Sequence, residues 1–368
     1  MRTTGGCHSP GLIGQADAVI SIWYADGADA PALHPDEIVR AAGADPAGGV
    51  RITLGWTIDR PAWLDDVDHP VHTHMAGYGL ARDIAAGRVT TSATRLGRVP
   101  TLIAEDRPDI AVVSGVRRGD DLAFVRTVGW GDVLARTARS VVVEIHADAV
   151  DVGAPTIGGD VVATLPRPAS AGDGQVTSRA ADDTDLRIGA LVASLVPDDA
   201  SLQFGPGGIG EGIVRSLERP VAIWSGLITD QVADLHDRGL LRGAAAGAYL
   251  WGGAALDRLA AAGRLDLRSV SEIHDVGRLA SIPRMVGCNT AVQVGLDGSV
   301  NVERAGDRLI AGIGGHADFS EGASKSPGGL SIIAVRSTTP KGSSTIVPAI
   351  ATVSTARSDV DVVVTEHG

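Results

Sequence analysis

Two glycine-rich runs and a scatter of isolated polar residues are what this chain offers for chemistry. Gly312-Ile313-Gly314-Gly315-His316-Ala317-Asp318-Phe319 places three glycines in four residues. Such a run makes a poor helix interior or strand, because glycine loses the most backbone freedom on folding. It suits a backbone that needs positive φ, or one approached so closely that a Cβ is in the way. A chain that bends twice on glycine beside isolated polar groups reads as a wall of a ligand site or as a tight structural turn. It precedes a small-residue loop, Glu321 to Gly329. Gly205-Pro206-Gly207-Gly208-Ile209-Gly210 lies between a strand and a helix, where backbone amides face phosphates. It departs from the GxGxxG register and lacks an acidic residue about 20 positions on, which disfavours a dinucleotide. A phosphate-bearing or thioester ligand and a plain turn both remain open.

The other candidates are weaker. His69, His72 and His74 cluster, the last two on one strand face, but no further ligands accompany them, and no metal is expected. Ser114, Ser225 and Ser326 stand in no GxSxG elbow. Cys288 lies in an apolar strand and reads as a small buried hydrophobe. Glu303, Glu321 and Glu366 are the carboxylates near the glycine-rich stretches.

The totals bound what these residues can serve. A length of 368 residues suits two domains or one large α/β domain. Aromatics are only 3%, so aliphatic residues fill the core. A net charge of −12 argues against nucleic acid or an acidic membrane surface as partner. The two cysteines, Cys7 and Cys288, form no framework, as in a reducing compartment. The N-terminus lacks the apolar core of a signal peptide, and no apolar run reaches about 18 residues. A cytoplasmic protein is expected.

The elements that must position these residues alternate. Strands are expected at 17–24, 51–54, 109–114, 141–145, 202–204, 221–224, 331–335 and 360–364. Helices are expected at 36–42, 99–104, 132–138, from about 186 to 196, 211–217, 230–238 with Thr229 as N-cap, and 255–262. This alternation implies largely parallel sheets covered on both faces. Asp297-Gly298 marks a hairpin between 285–296 and 300–303. Residues 167–185 read as a linker, dividing an N-terminal α/β domain, 1–166, from a C-terminal one, 186–368. The halves are compatible with two copies of one plan.

The C-terminal half resembles the acetyl-CoA hydrolase/transferase family, which includes 4-hydroxybutyrate and succinyl-CoA:acetate CoA-transferases. The resemblance is carried by Leu202-Gln203-Phe204-Gly205, Asn289-Thr290-Ala291, the run Leu296 to Glu303, Gly312 to Phe319, Gly328-Gly329 and Val363 to Gly368. It covers residues 185–368 clearly and 85–165 loosely. It implies an α/β fold, two related doubly wound domains of the CoA-transferase (NagB/RpiA-like) type, with CoA bound between them as a substrate and no resident cofactor. It further implies a glutamyl-CoA thioester and an oxyanion held by backbone amides. By resemblance, Gly205, Gly207, Gly208, Gly314 and Gly315 form the CoA and oxyanion site, and Glu366 belongs to the carboxylate site.

The departures bear on chemistry. Where the family's nucleophilic glutamate is expected, Trp224-Ser225-Gly226-Leu227 offers Gly226. Pro206 removes a backbone N–H from a donor loop, and His316 replaces the family's glutamine. One reading is an acyl-CoA hydrolase or transferase without the usual glutamate, acting with a small carboxylate or water, with His316 or Glu366 as general base. Another is a non-catalytic CoA-binding or partner subunit in a homo- or hetero-oligomer. A third, through a different register, takes Glu211 as nucleophile.

Overall fold

The computed structural model describes residues 19–172, 174, 176 and 179–368. Runs of Val, Ile and Ala buried on both faces form the strands, since a parallel sheet clad in helices has no wet face. The first sheet contains β1 (Ile20–Tyr24), β2 (Val50–Leu54), β3 (Val71–Thr73), β4 (Val89–Thr91), β5 (Ile110–Arg118), β6 (Asp121–Phe124), β7 (Ser140–Ile145) and β8 (Val161–Pro166). Their order is β4-β3-β2-β1-β5-β7-β8, with β6 pairing antiparallel to β5.

The second half adds β9 (Ser201–Phe204), β10 (Ala222–Thr229), β11 (Ala245–Trp251), β12 (Leu265–Leu267), β13 (Met285–Asn289), β14 (Gln293–Gly295), β15 (Val300–Asn301), β16 (Arg304–Ala305), β17 (Arg308–Leu309), β18 (Leu330–Ala334), β19 (Ile346–Val347) and β20 (Val362–Val364). The second sheet runs β12-β11-β10-β9-β13-β18-β20, all parallel. Each half steps outward through three strands from its first and then reverses to the other side. The two halves therefore share one topological plan. The reversal puts the C-terminal ends of β9 and β13 side by side, the position where an open α/β sheet leaves a crevice.

The two sheets share one buried cluster, which runs from Trp23 and Val113 to Ile332 and Val364. Backbone bonds cross between the halves: Val128 N–H to Ala248 O at 3.0 Å and Leu250 N–H to Arg126 O at 3.0 Å. Leu96 N–H to Gly314 O at 2.9 Å and Gly312 N–H to Ala76 O at 2.8 Å join them a second time. Tyr249 donates to Asp26 at 2.5 Å in a fully buried contact. The two halves are thereby joined at two separate places.

Several local expectations change. Gly312–Gly315 is extended and turn-like, but Glu321–Lys325 lies in a helix, His316–Lys325, rather than in a loop. Glu321 and Lys325 pair one turn apart at 2.5 Å, and Gly322 lets that helix close on Leu279, whose Cβ lies 2.3 Å from where a Cβ would sit. Thr229 ends β10 with its hydroxyl buried, and Asp230 takes the N-cap position. The helix after the linker starts earlier, at Asp183, behind an Asp182–Asp185 capping box. The long strand expected over 285–296 breaks into β13 and β14, and the hairpin at Asp297-Gly298 joins β14 to β15. No helix among the described residues is long and apolar enough to cross a membrane.

Candidate functional site

Both glycine-rich runs sit at the crevice, each for its own physical reason. Gly207 has φ +115° and caps the helix Gly208–Ser216. The first-turn N–H groups of that helix have no intrahelical acceptor, and they face an outer cavity of about 460 Å³. Gly205, Gly207, Gly208, Asn289, Thr338 and Arg336 contribute to its wall. Arg336 and Arg179 converge there on the buried Asp185.

The second run borders an inner cavity of about 170 Å³. Gly314 has φ +61° and bridges to Arg95 of the N-terminal half. Gly315 has φ −88°, so its identity is set by space: a Cβ there would lie 2.1 Å from Cε1 of His274. Gly226 is crowded by the same ring, with a Cβ 2.9 Å from His274 Nε2 and 3.6 Å from Phe319. Phe204, Gly205 and Asn289 line both the inner and the outer cavity. Trp56, Tyr78, Phe204, Tyr249 and Phe319 wall the inner cavity, in a chain with only six Trp, three Tyr and three Phe. Among the described residues lining this cavity there is no carboxylate.

Its polar atoms are unusually free. His274 is 3% exposed, and neither ring nitrogen has a hydrogen-bond partner. Its Nδ1 lies 3.5 Å from Asp318 Oδ2, an oxygen that also accepts from Gly97 N–H at 2.9 Å. Gln203 Oε1 is buried without a donor as well. Three of the nine such atoms among the described residues thus belong to this one cavity. A buried polar group normally finds a partner, so this concentration points to a ligand.

The residues singled out from sequence distribute as follows. Gly205 lines both cavities, Gly207 and Gly208 the outer, Gly315 and His316 the inner. Gly314 lies behind Gly315, against Met75. His316 has both nitrogens engaged, Nδ1 with Thr355 Oγ1 at 2.7 Å and Nε2 with Thr290 O at 3.1 Å. Burial pulls its pKa down to about 4, against the raising effect of the Thr290 carbonyl. Glu366 is absent from both walls. Both of its oxygens accept from Ser337, through N–H at 2.9 Å and Oγ at 2.6 Å. Burial pushes its pKa up, but these bonds outweigh that and hold it below the usual carboxylate range. Glu211 accepts from Ala181 N–H at 2.8 Å and pairs with Arg215. Burial pushes the Cys288 thiol up to about 12. Ser114, Ser225 and Ser326 donate to backbone carbonyls. His72 and His74 pack edge to face at 4.8 Å, and the described residues contain no group of three or more metal-ligating side chains.

His274 and Asp318 are the pair that sequence reading passed over. Nothing local marks His274, and its partners at 226, 315 and 318 are distant in the chain. Only the glycines that make room for it leave a trace.

Residues 255–368 match the model of the acetyl-CoA hydrolase/transferase C-terminal domain. A 4-hydroxybutyrate coenzyme A transferase of Clostridium kluyveri is 35% identical over 201 residues, 50% of this chain and 47% of that protein. An acetyl-CoA hydrolase of Eremothecium gossypii is 30% identical over 198 residues, 50% of this chain and 36% of that one. The matched part thus spans about half or less of these curated relatives' length. The crystal structure of a 4-hydroxybutyrate CoA-transferase from Porphyromonas gingivalis superposes with a TM-score of 0.68 at 23% identity, over 95% of this chain and 84% of that one. The shared fold is the CoA-transferase type expected from the sequence.

Proposed function

We infer, for a chain that belongs through residues 255–368 to the acetyl-CoA hydrolase/transferase family, that it binds an acyl-CoA along the adjoining cavities and cleaves the thioester. The observation that carries this reading is that Phe204, Gly205 and Asn289 line both the outer and the inner cavity, which therefore lie side by side. The outer cavity offers a helix N-terminus to phosphate-bearing groups, beside two arginines that Asp182 and Asp185 already pair. The inner cavity offers aromatic walls to a small apolar acyl group and unmatched acceptor atoms to an attacking water. Gly226 lines that cavity where the resemblance leads one to expect a nucleophilic glutamate, and no lining carboxylate replaces it among the described residues. Water is therefore favoured over a protein carboxylate as the attacking group.

The same observation favours a second reading, a CoA-binding partner subunit that leaves the chemistry to another chain. Free thiol release from acetyl-, butyryl-, succinyl- and benzoyl-CoA by the purified chain separates the two. Release above the spontaneous rate is the expected result. Calorimetric binding of CoA without any release selects the partner subunit, and the absence of both refutes an acyl-CoA site.

A further inference from the structure

We propose that His274, oriented by Asp318, is the general base that activates water against the thioester; this rests on the acyl-CoA reading above. A histidine kept for structure spends its nitrogens on partners. His274 is nine-tenths buried and more, yet neither nitrogen makes a hydrogen bond, and only Nδ1 has a carboxylate nearby, Asp318 at 3.5 Å. The protein instead clears space around the ring. Gly226 and Gly315 leave out the side chains that would strike it, and Phe319 meets it edge to face at 4.9 Å.

Its surroundings assign the tautomer. Asp318 Oδ2 stands 3.5 Å from Nδ1 and is itself anchored by Gly97 N–H. The carboxylate selects the Nδ1–H form, as an orienting acid does in a base–acid pair. Nε2 is then a free acceptor on the Gly226 side of the cavity. Gln203 Oε1 is a second unmatched acceptor among the residues that line this cavity. Both atoms are closed to solvent in this state, so the reacting water reaches Nε2 as the ring turns toward the cavity on substrate binding. His316 does not compete for this role, because Thr355 and Thr290 occupy its nitrogens.

In the step, the water oxygen bonds to the acyl carbon as one water proton passes to Nε2. The carbonyl π electrons move onto oxygen, where the first-turn amides of the His316–Lys325 helix oppose the charge. Collapse re-forms the carbonyl and breaks the carbon–sulfur bond. The CoA thiolate leaves with the electron pair and takes the proton back from Nε2, so that acid and free thiol are released and the imidazole is restored.

The test compares the full chain with His274→Gln, His274→Ala and Asp318→Asn, reading CoA binding by calorimetry, unfolding temperature, and thiol release. A positioned base is worth 10²–10⁴ in rate, so His274→Gln and His274→Ala should lose about 10²-fold or more while binding CoA within about threefold of wild type. Added imidazole should restore part of the His274→Ala rate, which a merely structural role does not predict. Asp318→Asn should lower kcat and leave KM in place. In ¹⁸O water the product acid should carry one label from solvent. A wild type that cleaves thioesters while His274→Gln keeps pace overturns the base and leaves the acyl-CoA reading standing. A wild type that cleaves none overturns both.

Discussion

Replacing Gly315 by alanine asks whether the glycine-rich run exists to admit His274. The residue has φ −88°, so alanine brings no backbone strain. Its new Cβ would lie 2.1 Å from His274 Cε1 and 2.4 Å from Nδ1. To regain an ordinary 3.4 Å contact the ring must retreat by about 1.3 Å. Phe319 at 4.9 Å limits where it can go. Overpacking of this kind costs about 1–3 kcal/mol of stability, and a misplacement near 1 Å costs about 10²-fold in rate. Gly314→Ala is the control. At φ +61° it forces a left-handed alanine, costing about 1–2 kcal/mol, but its Cβ meets only the mobile end of Met75 at 3.0 Å. Thiol release per folded molecule, with unfolding temperature alongside, separates the two. Gly315→Ala should lose most of its turnover, and Gly314→Ala should lose stability with turnover kept. Wild-type turnover in Gly315→Ala would refute the link between this glycine and the ring.

Other outcomes follow from the buried interface. Burial pushes the Asp26 carboxyl up from 3.8 to about 7, against lowering bonds from Tyr249 and Trp130 N–H. The folded state therefore holds a proton that the unfolded state releases. Stability from this group is full below about 4 and lost as pH rises through about 7, a change of about 4 kcal/mol; thermal unfolding against pH should show this fall, and Asp26→Asn should remove it. Tyr249→Phe deletes the hydroxyl that donates to Asp26 and should cost about 1–3 kcal/mol in denaturant unfolding. Cys288, buried with its thiol raised to about 12, should resist iodoacetamide in the native protein and react only on unfolding, as peptide mapping reads directly.

The fold was legible where side chains carry a period. The Val- or Ile-bearing strands at 110, 141 and 330 and the helices at 99, 131 and 254 lie close to where sequence patterns put them. β11, Ala245–Trp251, escaped notice because alanine and glycine carry little strand preference. They are used there because Gly247 must admit Ile228 from β10, 2.6 Å from where a Cβ would be. At the site, the glycine runs announced close approach or positive φ, and both occur, at Gly315 and Gly314. What approached Gly315 was invisible. His274 joins Asp318 across 44 residues and no local spacing encodes that distance. The same holds for Tyr249 on Asp26, a contact made only when the two halves dock.

The central claim is that one ligand spans both cavities past Gly205. Nothing lies within 4 Å of where a Gly205 Cβ would be, so Gly205→Leu should fold as wild type while filling cavity space there. The decisive measurement is thiol release from acetyl-CoA by wild type and Gly205→Leu at matched unfolding temperature. The account predicts release by the wild type and a loss of about 10²-fold in the variant. Equal release by both, or none by the wild type, contradicts it.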